Sequence, residues 1–370
     1  TFRTNYSGCI HSTGTPQGIV FIDTMTEVLS WGNNWPEHNF SPSDQYATRF
    51  YDEFYNKISL MTMTIDQIQH MDLNEDQKKK LVAELRCLRG YLSYVLFDLY
   101  GPIVVAPIEV LKDPLIEEPL GRLPYNEMVA FIEEDLLVAS AELIGPSESE
   151  YGRVNAALAR MILIRLYLHE KRWSDVVKVA DEIISMGYYS IDKDYVAMWG
   201  LEGAKQSSEV IWAIPCDYEG RNFNEWHYAS VPSNYPGFSG FGPTSSTWWF
   251  YDTFEQEDVR KTNLIAEYVG VDGILYNREN PGQTLIRGPR PIKMDLDDGR
   301  PGGSSTVDWI LYRYADVLLS KAEGIANSLG APNEEAIELI NVIRRRAGLK
   351  DVKLSDYSTL PLFNDMLLTE

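Results

Sequence analysis

Residues 152–189 read GRVNAALARMILIRLYLHEKRWSDVVKVADEIISMGYY. Apolar side chains recur every three to four positions, first from Asn155 through Leu168, then again from Ser174 to Gly187. The polar stretch HEKRW separates the two runs. That spacing lines one face of an α-helix, so the stretch predicts two helices joined by a short turn. Ser174 suits the cap of the second helix, because a hydroxyl there can accept from an unpaired backbone N–H. Gly187 suits its end, where a left-handed residue is common. Small Ala159 stands where the helices would cross. Leu163 and Tyr167 follow it, and Val176, Ala180, Ile183 and Ile184 answer from the second helix.

A helix pair of this length, Ala156–Gly187, is about one tetratricopeptide repeat. Such a unit cannot bury its own apolar face, so units stack. Tyr312–Ala347 reads the same way, as helices Trp309–Ser328 and Glu334–Ala347 split by the turn LGAPN. A further helix is predicted from Asn74 to Tyr100, with Leu81, Leu85, Leu88, Leu92 and Leu96 on one face and Gly101-Pro102 as its stop. Another starts at Pro124, carries Met128, Ile132, Leu136 and Ala139, and ends at Gly145-Pro146. Between these units lie long segments rich in Gly, Pro, Ser and Asn, above all residues 1–45 and 188–308. The second holds strand-like runs such as EVIWAIP at 209–215. The expected fold is therefore all-α: a tetratricopeptide-repeat helical scaffold with large irregular loop insertions. Residues 1–370 are expected to form one domain, with the scaffold at about 46–187 and 309–348 and the loop-rich insertion at about 188–308.

The 370 residues suffice for a large core without metal or disulfide support. Lys and Arg number 33 against 54 Asp and Glu, a net charge of -21 that argues against nucleic acid as a partner. Cys9, Cys87 and Cys216 are widely spaced and odd in number, so neither a complete disulfide framework nor a zinc pattern fits. Cys87 falls in an apolar helical stretch and reads as a buried, inert thiol. The five His are scattered without an HExxH, so no metal or catalytic triad is expected. DLDDGR at 295–300 lacks the spacing of a calcium loop and reads as a solvated turn. The glycines at 237–242 follow no strand-to-helix pattern for phosphates. Three consecutive arginines, Arg344 to Arg346, sit at a helix end, where cations meet free carbonyls.

Five segments, in order, carry a resemblance. RCLRGY at 86–91 with FDLYGP at 97–102 forms one, and PY at 124–125 with IEEDL at 132–136 the next. The repeat at 152–189, TFEQEDVR at 253–260, and YRYADVLLSKAE at 312–323 with INVIR at 340–344 and RAG at 346–348 complete the set. Together they resemble the SusD/RagB family of surface glycan-binding lipoproteins. The resemblance implies non-catalytic capture of an oligosaccharide at the outer face of the bacterial outer membrane. It also implies delivery to a TonB-dependent transporter and a lipid anchor in the full-length protein. The family's leader and lipobox cysteine are not recognisable here, and the chain stops at LLTE, 367–370, where a further family motif would begin. It therefore reads as truncated at both ends.

Sugars are held by flat aromatic faces against the C–H side of the ring, with amides and charged groups on the hydroxyls. Trp31-Gly-Asn-Asn-Trp35 offers this locally: Trp31 and Trp35 flank Asn33 and Asn34. The resemblance places glycan contacts in the same loop, whereas the plainer reading has the indoles plugging the loop onto the helices. A second cluster at 218–235, dense in aromatics and amides, contributes Trp226 and Tyr228 as candidates. No catalytic residue, metal ligand or cofactor is expected. Peptide capture, as in the RagB branch, and glycoside hydrolysis are the alternatives. An intracellular repeat scaffold is a third, and would show a concave face without exposed Trp. With 54 carboxylates, some pair at hydrolase spacing is expected by chance alone.

Overall fold

The computed structural model describes residues 51–113, 115–116, 119–217, 224, 226–238, 240–242, 244–293, 295–296 and 305–370, together with the backbone of 29–31 and 45–50. Helices dominate. They are α1 (Gln45–His70), α2 (Glu75–Tyr100), α3 (Ile108–Lys112), α4 (Tyr125–Glu142), α5 (Ala156–His169), α6 (Trp173–Ser185), α7 (Gly203–Gln206), α8 (Trp226–Ser230), α9 (Trp248–Thr253), α10 (Tyr314–Leu329), α11 (Glu334–Arg346) and α12 (Leu360–Thr369). The long ones pack in a row: α1 on α2, α2 on α4, α4 on α5, α5 on α6, α6 on α10, and α10 on α11. Helix α5 lies at the centre and is buried nearly all round, which is why its apolar residues exceed one stripe. Leu163 is 1% exposed. The described residues thus form a tetratricopeptide-like helical frame with irregular insertions.

Caps follow from the sequence. The Asn155 side chain accepts from the N–H groups of Ala157 and Leu158, and Asn74 accepts from that of Gln77. Paired charges of the family-like segments lock helix to helix. Arg89 on α2 meets Asp135 on α4 through two bonds of 2.7 and 2.8 Å. Arg165 on α5 meets Asp316 on α10 at 2.5 Å. Cys87 is fully buried, and burial pushes its thiol well above the ordinary range.

Several local expectations change. Residues Trp309–Arg313 form a strand, not the start of a helix, because WILYR finds an antiparallel partner in Val210–Ile214. Cross-strand pairing there outcompetes the helical spacing, and α10 begins only at Tyr314. Leu81 is 41% exposed and so lies off the buried face of α2. The buried face of α2 runs through Ala83, Cys87, Tyr91, Leu92 and Leu96 instead. Ser174 lies inside α6, whose flanking residue is Arg172. Helix α4 stops at Glu142, ahead of Gly145.

Among the described residues, strands occur as two-stranded antiparallel ribbons. β1 (Leu29–Trp31) pairs with β3 (Thr244–Ser246), and β2 (Val210–Ile214) with β8 (Trp309–Arg313). β4 (Leu264–Ile265) pairs with β7 (Arg290–Pro291), and β5 (Tyr268–Val269) with β6 (Leu275–Tyr276).

Candidate functional site

The insertion is tied to the frame by charge as well as by the β2–β8 ribbon. Glu209, fully buried just ahead of β2, accepts from Arg313 at 2.5 Å and from Arg346 at 2.7 Å. Burial lowers the Arg346 pKa, and Glu209 works against that shift. Asp258 pairs with Arg260 at 2.7 Å, and Glu255 with Arg344 at 2.6 Å. Segment 253–260 is thus bonded within itself through Asp258–Arg260 and to α11 through Glu255–Arg344. Nearby lies a cavity of about 390 Å³, walled by Trp226, Phe250, Phe254, Lys293, Arg313 and Arg346, among others.

On another part of the insertion, the chain presents aromatics outward. Helix α8 ends where the Tyr228 carbonyl accepts from the N–H groups of Phe241 and Gly242, at 2.7 and 3.2 Å. This brings the rings of Tyr228 and Phe241 into a stack, centroids 5.9 Å apart and planes 19° apart. Phe241 is 59% exposed. The close approach depends on glycine. A Cβ at Gly240 would stand 2.0 Å from the Val231 carbonyl oxygen, and Gly242 has φ +63° with its Cβ position 2.8 Å from the same atom. Strand β3 follows directly, and its Thr244 pairs with Trp31 of β1. The backbone that carries Trp31 thus runs beside the Tyr228–Phe241 pair. The Trp31 side chain and all of Asn33, Asn34 and Trp35 lie outside the described residues.

Trp226 and Tyr228, expected together, do different things. Two residues on a helix are turned roughly 200° from each other, so they face apart. Trp226 is turned inward. Its Nε1 donates to the Pro291 carbonyl at 3.0 Å, and its ring meets Trp309 edge-on at 5.9 Å. It forms a wall of the cavity rather than part of the exposed stack. Trp248 also faces in, donating from Nε1 to the Leu285 carbonyl, while Trp249 is 64% exposed. Phe241 was not among the residues the sequence singled out. Its signal was the glycine spacing at 237, 240 and 242, which marks a tight loop around an aromatic once a phosphate site is set aside. Among the described residues, no group of three or more His, Cys, Asp or Glu could hold a metal, and no helix is long and apolar enough to cross a membrane. Phe241 is exposed and Tyr228 half-buried behind it, so the pair supplies an accessible aromatic surface.

Residues 19–168 match a family described as starch-binding, associating with outer membrane, and residues 292–369 match the SusD family itself. The two matches do not overlap and cover well over half the chain. The chain belongs to the SusD family. Its relatives include the SusD-like protein P25 of Formosa agariphila, 22% identical over 80% of this chain and 61% of that one. The starch-binding protein SusD of Bacteroides thetaiotaomicron is 21% identical over 84% of this chain and 65% of its own length. The chain thus spans somewhat under two thirds of these curated relatives. Among solved structures, a SusD superfamily protein from Parabacteroides distasonis superposes with a TM-score of 0.82 at 20% identity, covering 99% of this chain and 83% of that one. A laminarin-binding SusD-like protein gives 0.76 at 16% identity, covering 98% and 85%. At these identities the superpositions show a shared SusD fold.

Proposed function

We propose that this SusD-family protein captures an oligosaccharide without cleaving it and passes it to a TonB-dependent transporter. In this reading the full-length protein is a single domain held by a lipid anchor at the outer face of the outer membrane. The observation that carries the capture step is the Tyr228–Phe241 stack, with Phe241 exposed, three residues along the chain from the β3 residue that pairs with Trp31. The reading keeps Trp31, Asn33, Asn34 and Trp35 as further ligand contacts, while Trp226 packs on Trp309. Relatives described as starch-binding and laminarin-binding support a glycan as the ligand class. Transporter delivery and the anchor rest on family membership.

Affinity gels cast with laminarin, xyloglucan or amylopectin test the reading. At least one should retard the wild-type protein, and Trp31→Ala, Tyr228→Ala and Phe241→Ala should each restore its mobility with an unchanged melting curve. Retardation that survives all three substitutions moves the ligand face elsewhere. Reducing-sugar release abolished by a single carboxylate substitution would instead make the protein a glycoside hydrolase.

A further inference from the structure

Arg290 is buried beside the Phe241 loop, with no carboxylate partner among the described residues. It lies on β7, opposite Ile265, and is 6% exposed. Its Nη1 donates to the carbonyls of Gly242 and Thr244, each at 2.6 Å. Those two carbonyls bracket the junction between the Phe241 loop and β3. On one side, the N–H groups of Phe241 and Gly242 are bound to the Tyr228 carbonyl. On the other, Thr244 pairs with Trp31. The residue before Arg290 adds a bond in the same direction, with the Pro289 carbonyl accepting from the N–H of Ser246 at 2.8 Å. The base of the clamp is packed, because Ile265, Tyr268 and Leu285 form a small buried cluster around that ribbon.

The energetics argue against a general stabilising role. No carboxylate among the described residues pairs with Arg290, and its Nε is buried without an acceptor. Burial draws its pKa down to about 10, with the nearby Arg287 charge acting in the same direction. A guanidinium held by carbonyls alone is a costly way to fill space, and an apolar chain of similar length would avoid that cost. Departures of this kind from the locally favourable choice are expected where a geometry is used.

We propose that Arg290 is the positioning residue of the ligand face: it fixes the Phe241–Thr244 junction, and so the Tyr228–Phe241 stack relative to the strand that carries Trp31. This rests on the aromatic stack being the ligand face. Two readouts separate the ideas. In Arg290→Met, hydrogen exchange at the amides of 241–246 should accelerate at least tenfold, while exchange across α5 and α6 and the melting temperature stay as in wild type. Polysaccharide retention in whichever of the laminarin, xyloglucan or amylopectin gels holds wild type should weaken at least tenfold. Arg290→Lys, which keeps a cationic donor, should recover most of both. Unchanged exchange at 241–246 overturns the clamp, as does retention within twofold of wild type when Tyr228→Ala and Phe241→Ala lose it. A melting temperature several degrees lower in both Arg290 variants, with exchange raised everywhere, also overturns it by showing a global role. If instead the exchange result holds and Tyr228→Ala and Phe241→Ala bind as wild type, the ligand-face reading fails and the proposed role in binding goes with it.

Discussion

The helical frame and the loop-rich insertion of this SusD-family chain are held together by different physics. In α4 and α5 the interior is mostly aliphatic, Asp135 with its Arg89 partner being a polar exception, and Met128, Ile132, Leu136, Leu158 and Ile162 have no exposed surface at all. Burial of that kind is non-directional, so the frame depends on volume and pattern. In the insertion, the interior includes Glu209, Asn224, Ser305 and Asp308, each at most 1% exposed. Those groups need partners at defined angles, and Asp308 shows it, accepting from the Tyr151 hydroxyl and the Cys216 N–H at 2.7 Å each. Burial still holds the Asp308 carboxyl above its usual range. The frame is mainly a packing solution with a few buried ion pairs such as Arg89–Asp135, whereas the insertion relies more on directional bonds laid across it.

Substitutions can test that contrast. The largest effect should come from Glu209→Gln, which leaves Arg346 buried beside Arg313 without its counter-charge. Removing one partner of a buried pair costs about 3–5 kcal/mol, so a denaturant melt should show that loss. A loss below about 1 kcal/mol would mean that the insertion and frame are coupled through the β2–β8 ribbon rather than through charge.

Leu163→Ala should cost roughly 2–5 kcal/mol, because the cavity at the centre of α5 cannot collapse fully. Glycan retention of the folded fraction should not change. A melt like that of wild type would show that the frame tolerates voids as loops do.

Phe241→Ala and Tyr228→Ala should reverse the pattern. Truncating an aromatic hot spot costs about 2 kcal/mol of binding, near thirtyfold, with the melting temperature intact. Trp226→Ala sharpens the division inside the insertion itself. With its ring on Trp309 and its Nε1 on Pro291, it should lower the melting temperature first.

The smallest effect is expected at Asn155. Its side chain caps α5 through two N–H groups, and Asn155→Ala should cost about 1 kcal/mol in the same melt.

Where packing alone decides, the residues could be read in advance. The stripe Met128, Ile132, Leu136 and Ala139 is fully buried as its spacing requires, and the segment 152–189 folds into the helix pair its period describes. The apolar face is a property of near neighbours three and four residues apart, so local text carries it. Leu81 departs from its stripe by lying off the buried face of α2. WILYR at 309–313 departs because its partner strand lies about a hundred positions away.

The candidate face shows the same limit more sharply. Aromatic and amide density marked Trp31 and the cluster around Tyr228 as candidates, and chemistry alone justified that. Which of the described aromatics turns outward was settled by long-range bonds: Phe241 onto Tyr228 and Trp226 onto Pro291. Composition and periodicity thus determined an acidic, helical frame with loops able to carry a ligand site, since those follow from local spacing and side-chain chemistry. The orientation of each loop aromatic was decided only in three dimensions, because a ribbon's register and a buried arginine's choice of carbonyls join residues that no local pattern connects.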